Sequence, residues 1–380
     1  SISFDMKNLI HAAGFLIAGI ASLALSTSLQ AQDGSKRWTV GLGARGFFDD
    51  NIFTRPDLTV NGVKLRQDSF GVDITPSITF NLPLSQGNLD FGYTYGLRWF
   101  ENRPGDDIDH YHTFAGNFTH NFSPRYKLGL SENFAMAQEP EQLAGAGTAY
   151  LPFRSEGDNI RNTAGAVFSA QLTDVVSGDI SYNNNYYDYD NPGFDQALDR
   201  LEHLFGLNVR YQVRPTTFAV LGYQYGIFDY TSKLITAFNP QTKDQTSHFI
   251  YGGVDHNFTS KLLGSARVGV QIAEWDKLGA ALNQDRSRAT PYADASISYA
   301  YASGSSIRVG VKHQRNATDL FDELSSPVLD TESTAAFLTI SHAVTEKLNV
   351  SATGMFQNSS FEAPGTTIDG QDEQYWNIGV

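Results

Sequence analysis

The sequence has no cysteine and only 3 methionines among its 380 residues. The missing cysteine excludes a disulfide scaffold, an iron–sulfur site and a cysteine zinc site. Charge is scarce at 18%, and 41 Asp and Glu outnumber 27 Lys and Arg for a formal net charge of -14. An acidic chain lacks the basic face that nucleic-acid phosphates require, so no such partner is expected. No Gly-rich phosphate loop opens a helix, and neither Gly-x-Ser-x-Gly nor His-Glu-x-x-His occurs, so no cofactor or metal site is expected. Beyond residue 31 no run is long and apolar enough for a membrane helix. Helical patterns are nearly absent, except that residues 137–150 could supply a turn or two inside a loop. What is abundant is Tyr (18), Phe (26) and Gly (34), with a mean hydropathy of -0.29. Disordered chains are poor in aromatics. This composition suits a sheet wet on one face and greasy on the other.

Met6-Lys7-Asn8 forms a short basic start, followed by an apolar run from Leu9 to Leu25 and a small, polar stretch ending at Ala31. The pattern reads as a secretory signal peptide cleaved after Ala31, against the alternative of a membrane anchor helix. Ser1 to Asp5 precede the start Met and read as upstream residues, leaving 32–380 as the mature domain. Export without cysteine suits the Gram-negative envelope.

From Trp38 onward the chain alternates with period two. Trp38, Val40, Leu42, Ala44 and Phe48 share one face, and Thr39, Gly41, Gly43 and Arg45 the other. Leu89, Phe91, Tyr93, Tyr95, Leu97 and Trp99 oppose Asp90, Thr94 and Arg98 in the same way. One apolar face at period two is a strand signal. Sixteen such windows follow: 36–48, 68–82, 88–100, 110–122, 126–136, 159–172, 175–187, 200–213, 217–228, 245–258, 262–274, 289–301, 306–315, 331–344, 348–358 and 371–380, the last reading as a strand cut short. Short connections such as Ser123–Arg125 and Thr259–Lys261 alternate with long ones such as 137–158 and 229–244. A meander of hairpins standing in an outer membrane gives this rhythm, with tight turns toward the periplasm and long loops outside. His120-Asn121-Phe122-Ser123, His256-Asn257-Phe258-Thr259 and His342-Ala343-Val344-Thr345 recur at the ends of outward-to-inward strands, where an interfacial girdle belongs.

The expectation is an all-β, transmembrane, antiparallel up-and-down β-barrel of about 16 strands. An open sheet cannot cross hydrocarbon, because every lipid-exposed backbone group needs an internal partner. A barrel this wide has an interior that side chains alone do not fill. Arg45, Asp73, Asp90, Arg98, Lys127, Arg161, Asp179, Glu202, Arg210, Asp255, Arg267, Asp294, Arg308 and Lys312 all fall on the face opposite the apolar one. Facing lipid at mid-depth, each basic one would cost about 2–4 kcal/mol. Facing a watery lumen, they cost little. A soluble β-sandwich or β-solenoid would also alternate, but the aromatic outer face and the regular loop lengths count against both. Two residues strain the pattern: Pro76 lacks a ladder donor inside its strand and predicts a bulge or irregular pairing, and Glu132 falls on the lipid face.

The first window closes on Gly46-Phe47-Phe48-Asp49-Asp50-Asn51-Ile52-Phe53. A first strand that ends in an aromatic followed by Asp-Asp-Asn-Ile resembles the β-barrel porin type-2 family, with Asp49, Asp50 and Asn51 matching its motif. The resemblance implies an outer-membrane channel or barrel, in a family often encoded beside exopolysaccharide genes. It names no substrate.

Three functions compete. The first is passage of polar solutes or exopolysaccharide through the lumen, where inward Phe47, Tyr111, Tyr187, Phe249, Tyr251, Tyr292 and Phe337 would offer a glycan track or simply anchor loops. The second is a structural or adhesive barrel binding glycan through its loops, for which the amide- and aromatic-rich stretch 183–191 is a candidate. The third is a barrel hydrolase using His110 or His112 near Asp106, Asp107 and Asp109, or His203 near Glu202. No enzyme is expected. The partners expected are outer-membrane lipid and lipopolysaccharide; the acidic loops would either bridge lipopolysaccharide phosphates through divalent cations or simply stay solvated.

Overall fold

The computed structural model describes residues 37–50, 52, 59–60, 63–64, 67–137, 159–190, 199–231, 243–275, 287–317, 330–345, 347–362, 370 and 372–379. In chain order the strands are β1 (Trp38–Asp49), β2 (Thr59–Val60), β3 (Val63–Lys64), β4 (Ser69–Leu84), β5 (Gly87–Phe100), β6 (Ile108–Ser123), β7 (Tyr126–Ala137), β8 (Asn159–Gln171), β9 (Val176–Tyr189), β10 (Arg200–Arg214), β11 (Thr217–Tyr230), β12 (Gln245–Asn257), β13 (Leu262–Trp275), β14 (Ser287–Ala302), β15 (Ser305–Ala317), β16 (Asp330–Ala343), β17 (Asn349–Glu362) and β18 (Asp372–Gly379). β2 and β3 form a small hairpin of their own. The other sixteen close into one antiparallel barrel, each beside its neighbour in sequence, and β1 completes the ring on β18 through Phe47↔Gly379. The signal segment, Asn51 and the helical turn expected beyond Ala137 lie outside the described residues.

Alternation dictates the wall. Along β1 every second residue from Trp38 to Phe48 is exposed, and those between are half-buried. Leu42 is 75% exposed, Leu221 65% and Val268 66%. Apolar side chains so bare around a closed ring of strands make an outer surface that only acyl chains cover favourably. Closure supplies the other requirement, since a barrel leaves its backbone groups paired between strands. The chain is therefore a transmembrane β-barrel.

The tight turns show how sequence sets register. Thr259 Oγ1 accepts hydrogen bonds from the Lys261 and Leu262 amides at 3.1 and 3.0 Å, and Thr345 Oγ1 from those of Lys347 and Leu348 at 3.2 and 3.0 Å. Thr173 makes the same pair of bonds to Val175 and Val176 at 3.3 and 3.0 Å. A hydroxyl bonded to its own backbone a few residues on holds the reversal without a longer loop. Gly304 turns β14 into β15 with φ +72°, a region that L side chains rarely adopt.

Pro76 produces a ladder gap and no bulge. β4 pairs with β5 at Ile74↔Leu97 and resumes at Ser77↔Thr94 in the same register, while Pro76 stays opposite Leu42 of β1. The missing donor interrupts pairing on one side only. Glu132 faces outward and is exposed.

Candidate functional site

The inner wall carries the chemistry. Arg45 stands on β1, Asp73 on β4, Asp90 and Arg98 on β5, Lys127 on β7, Arg161 on β8 and Asp179 on β9. Glu202 and Arg210 stand on β10, Asp255 on β12, Arg267 on β13, Asp294 on β14, and Arg308 and Lys312 on β15. Strand parity sets all of them on the face opposite the exposed apolar side chains.

Several are brought into contact by register. Arg45, Asp73 and Arg98 stand directly opposite one another across β1, β4 and β5. Arg98 Nε donates to Asp73 Oδ1 at 2.7 Å, and Arg45 Nε to Asp73 Oδ2 at 2.9 Å. The Phe47 ring lies 5.5 Å from the Arg98 guanidinium and 5.8 Å from that of Arg45. A second chain of charge runs around the wall. Arg210 Nη1 donates to Asp179 Oδ1 at 2.6 Å and its Nε lies 3.7 Å from Asp255, while Arg267 Nη2 donates to Asp255 Oδ1 at 2.6 Å. Arg267 also registers opposite Asp294, which registers opposite Lys312. Opposite charges thus alternate from β9 to β15. Glu202 accepts from Arg200 Nε at 2.7 Å and from Asn185 Nδ2 at 2.9 Å. Asp90 accepts from Asn81 and Asn88. Arg308 stacks over Phe337 at 5.6 Å. Lys127 registers between Asn121 and Ser169.

The inward aromatics are not bare platforms. Arg200 and Arg161 sit over Tyr187 at 3.8 and 5.2 Å, Arg98 over Tyr111 at 5.7 Å, and Tyr292 packs between Phe249 and Tyr251. Cation–π contact ties rings and guanidiniums into the wall. Arg200, and Asn208, whose Nδ2 donates to Asp179 Oδ2 at 2.9 Å, belong to these clusters and were not singled out from the sequence, although the same parity marks them.

The outer end of the barrel is the more filled one. On β4, β5, β12 and β13 the inward residues nearest the outer rim are buried, while those toward the tight turns are half-buried. β15 pairs with β14 only as far as His313, yet stays with β16 out to Ala317. Past that parting, Gln271 of β13 brackets the Arg315 backbone, accepting its N–H at 2.8 Å and donating to its carbonyl at 3.0 Å. Arg315 Nη1 donates to Asp330 Oδ1 at 2.6 Å and its Nε to Thr290 Oγ1 at 3.1 Å, while Gln245 of β12 donates to Asp330 Oδ2 at 3.2 Å. The upper ends of β15 and β16 therefore lean inward over β12–β14 and narrow the mouth. No sequence period announces this, because the lean is a tertiary contact.

The described histidines sit on the outer face. Tyr93 OH pairs with His112 Nδ1 at 2.8 Å, Tyr95 with His110 at 2.6 Å, Tyr182 with His203 at 2.8 Å and Tyr223 with His248 at 2.8 Å. Such pairs make an amphipathic girdle near the rim. His203 and Glu202 point to opposite faces, and Asp109 pairs with Arg103 on the inner side. At the top of β1, Asp49 registers opposite Ser69 and Asp50 follows it. Among the described residues no three His, Asp or Glu side chains are grouped to hold a metal ion. Just outside β10, burial and the nearby Asp188 and Asp190 push the Asp199 carboxyl up to about 6, against a bond from the Tyr189 amide that lowers it.

No family model matches the chain, and no curated protein matches it. Solved structures do. The FrpB iron transporter from Neisseria meningitidis aligns with 90% of this chain and 60% of its own at 9% identity and a TM-score of 0.44. A bacterial polysaccharide outer membrane secretin aligns over 90% of this chain and 96% of its own at 10% identity and a TM-score of 0.41. The KdgM porin, in complex with disordered oligogalacturonate, aligns over 68% of this chain and all (100%) of its own at 9% identity and a TM-score of 0.28. The chain spans 54% to 61% of the length of the iron transporter and ferric-catecholate receptor structures it matches first. At these values the likeness is one of barrel architecture only. The closed barrel, its apolar outer band and its girdle place the chain in the bacterial outer membrane.

Proposed function

We propose that this outer-membrane barrel is a porin-like channel whose lumen passes polar solutes or exopolysaccharide. One observation carries the reading: the inner wall of a sixteen-stranded barrel holds alternating ion pairs and amides instead of an apolar core. Barrels of this size enclose more space than side chains fill, and a wall of this chemistry is stable against water. Basic and acidic groups are interleaved, so the wall favours hydrated, weakly charged or neutral cargo over either ion sign. Amides beside rings, as at Asn183, Asn185 and Tyr187, suit the hydroxyls and apolar faces of sugars. The Asp49-Asp50 end of β1 is in keeping with membership of the β-barrel porin type-2 family. We read the chain as a conduit and not an enzyme.

The filled outer mouth favours a second reading, a structural or adhesive barrel that binds glycan through its loops. Reconstitution in planar bilayers separates the two. A channel gives stepwise conductance that falls when a permeant oligosaccharide enters the lumen. A barrel that stays silent in bilayers, and still silent when Arg315→Ala with Gln271→Ala frees the mouth, sinks the channel reading.

A further inference from the structure

Glu132 is placed where a lone carboxylate is costly. It is the seventh residue of twelve-residue β7, exposed, in an outward row that otherwise reads Tyr126, Leu128, Leu130, Phe134 and Met136. Every other outward carboxylate among the described residues, such as Asp188, Glu274 and Glu332, lies within three residues of a strand's outer end, where water reaches it. Ionisable groups at membrane depth are rare because hydrocarbon does not solvate them, and those that persist have partners.

The surroundings of Glu132 are open and polar. Gly116 of β6 and Ala164 of β8 stand opposite it on either side, and Ala164 faces Asn184 of β9. A Cβ added to Gly116 would meet nothing but Glu132 Cβ at 3.8 Å, so the carboxylate stands beside a recess. Diagonal to it, Asn162 of β8 faces outward with its Oδ1 buried and without a hydrogen-bond partner. With the oxygen buried in the wall, Nδ2 is the end of the amide left to donate from the lipid face. A carboxylate that accepts and an amide that donates, side by side on small residues, make a self-complementary patch.

We infer that the outer face of β6–β9 is the contact between two copies of this chain, packed about a two-fold axis along the membrane normal near Ala164. Each Glu132 then accepts a hydrogen bond from the partner's Asn162 amide, and the recess beside Gly116 and Ala164 lets the two walls approach closely. A second copy fits because it carries the same patch at the same depth. A soluble partner cannot reach that depth, and a lipid tail offers no donor. An isologous contact of this kind gives both carboxylates a donor at once.

The absence of cysteine makes the test direct. Ala164→Cys is introduced at the proposed axis, and Val309→Cys on β15, across the barrel, serves as the control. Both proteins are oxidised in outer-membrane vesicles, and dimers are counted on non-reducing gels. The expected result is a dominant disulfide dimer for Ala164→Cys and only background for Val309→Cys. Adding Glu132→Leu to Ala164→Cys lowers the dimer fraction about tenfold, as loss of two intramembrane hydrogen bonds predicts, and Glu132→Gln, still an acceptor, restores it. Glu132→Leu also raises the melting temperature of the detergent-solubilised monomer, which shows that lost crosslinking is not misfolding. Equal crosslinking at the two positions overturns the inference. So does a dimer fraction unmoved by Glu132→Leu.

Discussion

Arg98 and Asp73 form an ion pair with side chains 8% and 3% exposed, at 2.7 Å on the inner wall, while Arg45 reaches the same carboxylate from the next strand. Two cations share one anion. Asp73→Asn removes the anion that both guanidiniums share, and breaking a buried pair in this way costs about 3 kcal/mol. Urea titration of the folded barrel reads that loss. In a salt gradient the reversal potential moves toward anion selectivity, because the wall gains net positive charge.

The threonine turns carry a second expectation. Thr259 bonds two amides of its own reversal, and Thr259→Ala frees both at the periplasmic end. The loss is about 1 kcal/mol, with water taking over part of the bonding. Thr259→Ser keeps the hydroxyl and restores stability, and the two variants are compared by equilibrium denaturation.

The rim beside β10 responds to pH through Asp199, whose carboxyl lies near 6, above its ordinary 3.8. A raised folded-state value means that the folded rim holds the proton more tightly than the unfolded chain. Its contribution is therefore full at low pH and is lost as pH rises from about 4 through about 6. Hydrogen exchange at the Tyr189 amide, which donates to Asp199 Oδ1 at 2.9 Å, reports it. Opening at pH 7.5 exceeds opening at pH 4.5, beyond the intrinsic rate difference. Asp199→Asn keeps the acceptor and abolishes that excess.

The mouth makes a fourth expectation. Arg315 ties the leaning end of β15 to Asp330 and Thr290. Arg315→Ala combined with Gln271→Ala removes both the side-chain ties and the bracket on the β15 backbone, and so releases the lean. Single-channel conductance rises, and the access of a charged blocker added outside rises with it.

Much of the wall was legible because burial by lipid or water repeats every second residue, and that repeat is written in the side chains. Strands β4 and β5 show how far this goes. The tight turn sets Leu84 opposite Gly87, and counting back from it sets Asp73 opposite Arg98 with no other information. Arg45 against Asp73 is not readable in the same way, because a long loop separates β1 from β4 and fixes no count. The outward place of His110 and His112 was available from their parity with Phe114, yet adjacency to Asp106 and Asp109 in sequence suggested a catalytic grouping that the pleat separates. The inward lean at Arg315 depends on Gln271 and Gln245 from strands far along the chain, and nothing local encodes it.

The central claim is that neighbouring side chains along each strand meet two solvents, and cysteine scanning in this cysteine-free chain tests it most directly. Thr39, Ser77 and Thr79 lie on the inner face of β1 and β4, and Val40, Leu42 and Ile78 on the outer face. Each is replaced singly by cysteine, inserted into vesicles and exposed to a membrane-impermeant charged thiol reagent. The account predicts labelling at the first three and protection at the second three. Equal labelling of both sets, or protection of both, would contradict it.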